Sequence, residues 1–263
     1  MNEENKSETV PKTKLFDPCG GYRRLNSLTF STLIYLETIR FCERFLTLKN
    51  DPKGRLYDQM VQAARSGRAN IMEGSERSAT SKEDEIKLTD VARASLSELM
   101  GDYEIWILRH DQSPWTKESP EGRAAATFWL DPPGEWKDLI HDSCDYIRAQ
   151  RKKLMQLTET EDSVAVANVL LVLCKRTILL LQAQIKSQGE QFAQQGGFRE
   201  RMSAVRLEAR DAQQQQEGAP ACPVCNKPMR TMVAKRGRNA GNAFWSCTGY
   251  PACSGTRPCE AKA

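Results

Sequence analysis

The segment "VAVANVLLVLCKRTILLLQAQI", residues 164–185, constrains this chain more than any other. A helix formed by it is apolar on nearly every side, so it must be covered on most sides by other elements. The sequence offers helices as that cover. From Asn26 to Leu48, Phe30, Leu33, Leu36 or Glu37, Phe41 and Phe45 recur at intervals of three and four and draw one stripe along a helix. "KNDPKG" (49–54) ends it with a turn. A second helix is expected from Arg55 to Glu73, with Leu56, Met60, Ala63, Gly67 and Ile71 inward and Gly74 as C-cap. Thr80 or Ser81 caps a third, from Lys82 to His110, whose Glu83, Asp84 and Glu85 complement the dipole at its start. Leu88, Ala92, Ser95, Leu99, Tyr103 and Trp106 form its stripe. The chain therefore reads as mainly α: a four-helix bundle with extra helices, over residues 25–195.

Between the third and fourth bundle helices lies an insertion, 112–162, broken by "QSPWTKESPEG" and "DPPGEW". It has room for a short helix at 121–130 and a longer one at 134–157. Residues 1–24 are polar, with Pro11 and Pro18, and read as a disordered lead. A basic helix over 198–210 and a Gln-rich linker fill 196–220. The N-terminus has no apolar signal-peptide core and no run of 18 apolar residues occurs, so neither secretion nor a membrane span is expected. A reducing, cytoplasmic setting fits, and in such a setting clustered cysteines signify a metal.

Five of the nine cysteines crowd into the last 42 residues. Cys222 and Cys225 form C-x2-C, and Cys247 and Cys253 follow at a wider spacing. Four thiolates held in pairs by tight turns suit one structural Zn²⁺. A segment this small cannot fold by apolar burial alone, so the metal must supply folding energy. "MRTMVAK" and "NAFWSC" alternate well enough for two strands, which makes 221–259 a small β zinc ribbon. Iron is the rival metal, but rubredoxin-type sites use two C-x2-C pairs. Cys259 is a spare thiol. The whole chain carries a net charge of only +4, so any nucleic-acid site must be local. Residues 222–259 supply one: Lys227, Arg230, Lys235, Arg236, Arg238 and Arg257, with no Asp or Glu. Phe244, Trp245 and Tyr250 lie among these cations, and cations with aromatics are what unpaired bases bind. Adjacent strand residues face opposite ways, so one of Phe244 and Trp245 packs inward; Trp245 is expected to be the exposed one.

Two resemblances add to this. "QMVQAARSGRANIMEGSERSATSKEDEIKLTDVARASLSEL" (59–99) resembles the bacterial four-helix bundle protein family. That family includes proteins encoded in intervening sequences of 23S ribosomal RNA genes and the accessory variability proteins of diversity-generating retroelements. The likeness rests on "NIMEG" and "ASLSEL" and extends over 25–110 and 163–210, where "QGGFRERM" resembles the suffix segment of some members. It implies closed homo-oligomeric rings, nucleic-acid binding and a reverse transcriptase as partner. Separately, "CPVC" and "FWSCTGYPAC" followed by "GT" resemble the C-terminal zinc ribbons of type IA DNA topoisomerases, over 222–256. That likeness implies DNA, often single-stranded, as the ligand. The chain has no room for the topoisomerase catalytic domains.

The expected function is thus non-enzymatic: a self-associating bundle presenting a zinc ribbon to nucleic acid. No P-loop, Rossmann fingerprint, H-E-x-x-H or G-x-S-x-G occurs. Arg65 and Arg68, three apart on the second helix, are further candidates for phosphate contact, against the plainer reading of a solvated face. An adaptor that docks a protein such as a reverse transcriptase is the main alternative. An enzyme using Asp111, Asp131, Asp138, His141 and Asp142 of the insertion is a third.

Overall fold

A computed structural model of the chain describes residues 21–216, 219–236 and 240–259. It is mainly helical, with a small antiparallel sheet near the C-terminus. After a 3-10 turn at Gly21–Arg24 come α1 (Asn26–Phe45), α2 (Arg55–Arg77), α3 (Lys82–Leu108), α4 (Pro120–Thr127), α5 (Leu139–Thr158), α6 (Ser163–Gln195) and α7 (Phe198–Gln216). Strands β1 (Met229–Val233), β2 (Ala243–Cys247) and β3 (Thr256–Pro258) follow. The chain divides into two compact units between Gly197 and Phe198, and each is described by itself.

In the first unit α1, α2, α3 and α6 close a ring of neighbours, α1 against α2, α2 against α3, α3 against α6 and α6 against α1. Neighbours run antiparallel. Ser27 Oγ at the start of α1 donates to Gln184 Oε1 near the end of α6 (3.0 Å), and Trp106 Nε1 near the end of α3 donates to Ser163 Oγ at the start of α6 (3.2 Å). The core is Phe30, Leu33, Phe41, Met60, Ile71, Leu96, Leu99, Tyr103, Leu170 and Leu181 with their neighbours. Tyr103 Oη meets Thr38 Oγ1 at 2.9 Å across the middle, which satisfies the one phenol fully enclosed there. By length and composition alone, the stretch Ser163–Arg210 holds an 18-residue window apolar enough to cross a membrane, a test that the buried core helix of a bundle also meets. Lys175 and Arg176 interrupt the run but do not abolish it, and 61% of that window is buried within the protein.

Several boundaries shift, each for a local reason. Gly74 is not a C-cap: α2 continues to Arg77, and Gly74 is buried where an added Cβ would lie 3.3 Å from Glu85 O and Leu88 Cβ. Gly67 serves the same close approach, since a Cβ there would lie 2.9 Å from Leu96 Cγ. Ser81 is the cap of α3 and accepts from Asp84 N–H. Leu88 is only half-buried, and Thr89, Leu96 and Ile107 take inward places. Of Leu36 and Glu37, it is Glu37 that turns inward, 2% exposed. Its carboxylate meets Arg151 Nε of α5 at 2.8 Å and accepts from Thr158 Oγ1 at 3.0 Å. The insertion thus docks α5 on α1 through a polar contact that apolar patterning does not reveal, while α4 packs on α6. Helix α5 begins later than expected because Asp138 caps it, accepting from Ile140 and His141 N–H. Residues 1–20 of the expected lead lie outside the described residues, but Tyr22 packs against the bundle core. The expected Gln-rich linker is helical as far as Gln216.

Candidate metal centre

The second unit contains the sheet, in the order β1–β2–β3 with both pairs antiparallel. Met229 pairs with Cys247, and Trp245 lies between Thr231 and Arg257. The two expected strands are present; β3, three residues long, was beyond the reach of any alternation pattern. The sheet carries Cys247 at its end, and two turns bring in the other thiols. The first is 222–225, closed by Asn226 N–H to Cys222 O (3.0 Å) and Cys222 N–H to Lys227 O (2.8 Å); Asn226 has φ 59°, a left-handed residue for which Asn is well suited. The second is closed by Cys253 N–H to Gly249 O (3.0 Å) and tied to the first by Thr248 N–H to Pro228 O (3.2 Å).

All four sulfurs of Cys222, Cys225, Cys247 and Cys253 lie within 4.8 Å of one another, with Cys222–Cys253 at 3.8 Å and Cys225–Cys247 at 3.3 Å. Four sulfurs each about 2.3 Å from a tetrahedral ion stand about 3.8 Å apart, so the donor set fits one soft metal ion. Backbone donors are already aimed at it: Val224 N–H points to Cys222 Sγ (3.5 Å) and Gly249 N–H to Cys247 Sγ (3.3 Å). The Val224 N–H, against the opposing effect of burial, holds the Cys222 thiol down to about 7. At Cys247 the Gly249 N–H also favours thiolate, yet burial and the neighbouring thiols push it up to about 12. Four thiols this close can lose few protons by themselves, because each new anion repels the last. A divalent cation removes that penalty. Among the described residues, no other group of three or more His, Cys, Asp or Glu side chains is close enough to share an ion.

Gly255, part of the "GT" in the ribbon-like pattern of the sequence, proves to have a role at the sulfurs that the sequence did not assign. A Cβ there would lie 2.3 Å from Cys222 Sγ and 3.5 Å from Cys253 Sγ, so only glycine leaves the sulfurs their places. Its carbonyl accepts from Cys247 N–H (2.9 Å), which ties this close approach to β2. The signal was the place of this glycine in that pattern, two residues beyond the last cysteine of the cluster.

The other predicted residues are less concentrated. Trp245 shares a sheet face with Met229 and Cys247 and packs on their buried cluster, so it is the inward aromatic, not the exposed one. Phe244 is on the opposite face with Met232, half-buried. Tyr250 is 64% exposed. Lys235 and Arg236 are exposed beyond β1, while Arg230 is half-buried with its Nε enclosed and unbonded. Arg238 lies outside the described residues. In the bundle, Arg65 is exposed but Arg68 turns to α1, donating from Nε to Thr32 Oγ1 (3.0 Å), so the two do not form one outward pair. The acidic residues of the insertion have local partners: Asp131 bonds Lys153 (2.8 Å), Asp138 caps α5, and Asp142 accepts from Lys137 and Asp138 N–H. His141 stands 3.4 Å from Asp145. Cys42 and Cys174 are sealed in the bundle core, and burial pushes the Cys42 thiol up to about 12. Cys144 is exposed and Cys259 half-buried; neither joins the cluster.

The geometry defines a helical bundle with a four-cysteine, three-stranded ribbon. No protein-family model matches the chain, and neither a curated protein nor a solved structure matches it.

Proposed function

We propose that this chain is a non-enzymatic nucleic-acid-binding protein of reducing, cytoplasmic surroundings, in which a self-associating bundle carries a structural zinc ribbon to single-stranded DNA. The observation that carries this reading is the combination at the ribbon: a four-sulfur cluster of tetrahedral dimensions in a segment, 222–259, with six cations and no carboxylate. Zn²⁺ with four thiolates sums to −2, so the loaded segment keeps a charge of about +4. Zinc is favoured over iron because Cys247 and Cys253 are separated by five residues, not two. Tyr250 and the half-buried Phe244 supply stacking surfaces beside the cations.

Self-association is supported by Val91, Ile105 and Leu108, which stand on the outer side of α3 at 46, 58 and 56% exposure. Several linked ribbons would gain avidity from being joined. The likenesses of 59–99 to the bacterial four-helix bundle family and of 222–256 to topoisomerase ribbons point the same way.

The test is metal analysis followed by titration. The purified chain should hold one zinc and bind a labelled single-stranded oligonucleotide in a salt-sensitive manner, and a zinc chelator should weaken that binding. A chain that holds no metal, or binds equally well without it, refutes the reading. A second reading, in which the ribbon docks a protein such as a reverse transcriptase, is favoured by the exposed Val224, Met232 and Val233, at 73, 39 and 56%. Under it the zinc is retained and the oligonucleotide is not bound.

A further inference from the structure

The insertion builds an exposed aromatic over an unpaired cation. Residues 128–131 follow α4 without helix or strand and lead into Pro132 and Pro133, before which an extended backbone is preferred. Phe128 and Leu130 therefore turn into the core, 8% and 6% exposed, while Trp129 and Asp131 turn out. Trp129 remains 48% exposed. The Arg176 guanidinium of α6 lies against its ring, 5.0 Å from the centroid, and Phe30 meets both, its centroid 5.6 Å from the guanidinium and 5.5 Å, edge to face, from the indole. Arg176 donates to the carbonyls of Ala126 and Phe128, and no carboxylate among the described residues comes within ion-pair reach of it. A guanidinium has five N–H donors, so these two bonds leave most of its capacity unused. Lys153 Nζ stands beside the same strap, 3.4 Å from Trp129 O, though Asp131 shares its charge at 2.8 Å.

Anchoring the strap does not require this arrangement. Phe128 and Leu130 already bury the strap's apolar surface, and the indole, though it touches Phe30 and Arg176, keeps 48% of its residue's surface open to stacking. A half-buried cation with no counter-ion is costly to maintain, and burial does lower the Arg176 pKa. An open aromatic face backed by uncompensated positive charge is complementary to a base and its phosphate. An acidic peptide would use the charge but leave the ring idle.

We infer that Trp129, with Arg176 and Lys153, is a second single-stranded nucleic-acid contact, carried on the bundle and independent of the ribbon. The insertion, with its strap, is then a binding element of the protein.

The experiment uses the full-length chain with Cys222→Ser and Cys225→Ser, which disables the ribbon and leaves the first unit untouched. The probe is a thymine-rich single strand bearing 5-iodouracil. Irradiation should crosslink it to Trp129, identified by peptide mapping, and Trp129→Ala should weaken binding roughly tenfold, within the range of a lost stacked base. Trp129→Phe, which keeps a stacking face and the packing on Phe30, should bind within about threefold of the parent. A ribbon-disabled chain that binds no oligonucleotide, a crosslink that maps elsewhere, or equal displacement by poly-glutamate overturns the inference. If the ribbon-disabled chain binds as tightly as the unaltered one, the ribbon's role fails while this contact stands.

Discussion

Replacing Gly255 with alanine should disable the metal centre without adding any charge or bulk beyond one methyl group. The added Cβ would lie 2.3 Å from Cys222 Sγ, whereas non-bonded contact requires about 3.5–4 Å. Something must therefore move by more than about 1 Å, and metal–ligand distances tolerate only about 0.2 Å. The backbone cannot yield easily, because Gly255 O holds Cys247 N–H at 2.9 Å and so couples any shift to a second ligand. Outer-sphere changes at metal sites cost up to about 100-fold in affinity, and this one displaces a ligand itself. Zinc affinity should fall by at least about 100-fold, or about 2.7 kcal/mol. Competition against a chromophoric zinc chelator measures it. Gly249→Ala is the matched control, because its Cβ would meet Cys247 Sγ and Lys227 Cδ at an ordinary 3.4 Å; it should stay within about tenfold. Helical circular dichroism should be unchanged in both, since α1–α6 belong to the other unit. If Gly255→Ala binds zinc within about threefold of the unaltered chain, the cluster does not bind metal in the arrangement described.

Removing the metal with a chelator should abolish protection of backbone amides in β1–β3 and leave those of α1–α3 and α6 protected, read by hydrogen exchange; coincident loss would show that the units do not fold separately. Arg151→Ala should destabilise the bundle by about 2 kcal/mol in urea unfolding, because it removes the 2.8 Å partner of the Glu37 carboxylate, 2% exposed, and leaves it Thr158 and Arg40, the latter at 3.6 Å. Replacing Glu37 and Arg151 together with leucine and methionine should recover most of that loss; failure to recover it would show that Arg151 stabilises by some means other than neutralising Glu37. Asp142, held below the usual carboxylate range by the Asp138 and Lys137 N–H groups, supports the start of α5 above its unfolded pKa and loses that support as pH falls through the lower folded value. Asp142→Asn should therefore flatten the acid limb of the stability profile and leave it unchanged if the carboxylate is idle.

How far the bundle could be read from sequence depended on which forces set each feature. Periodicity found α1, α2 and α3, because burial along one stripe repeats every three to four residues, and α6 was legible from a run apolar on nearly every side. It failed where contact is made without an apolar side chain. Gly74 looked like a helix stop because glycine commonly is one, but here it permits the backbone of α3 to come close. Glu37 was an ambiguous place in the stripe because Arg40, three residues on, suggests only an ordinary surface pair, and the nearer partner, Arg151, lies 114 residues away. The docking of α5 therefore became visible only once the two helices were placed together.

At the ribbon the four ligands were legible because thiolate chemistry restricts spacing, and the sides of the aromatics were legible too, though the expectation for Trp245 was the wrong one. Parity along β2 guarantees that Phe244 and Trp245 face opposite ways, but which one faces the metal is set by Cys247, two residues beyond Trp245 and so on the same side. That assignment changes what binding measurements should show. Trp245→Ala should destabilise the ribbon itself and lower zinc affinity, since it removes packing from the Met229–Cys247 cluster. Tyr250→Ala should leave zinc affinity alone and cost about 1–3 kcal/mol of single-strand affinity. The salt dependence should separate stacking from charge: with all six ribbon cations on phosphates the log–log slope is about −4, at roughly −0.7 per contact. Tyr250→Ala should keep that slope, because stacking releases few counterions, while Arg236→Ala should flatten it by about 0.7. If Tyr250→Ala flattens the slope instead, the strand does not stack there and the ring serves only to place neighbouring cations.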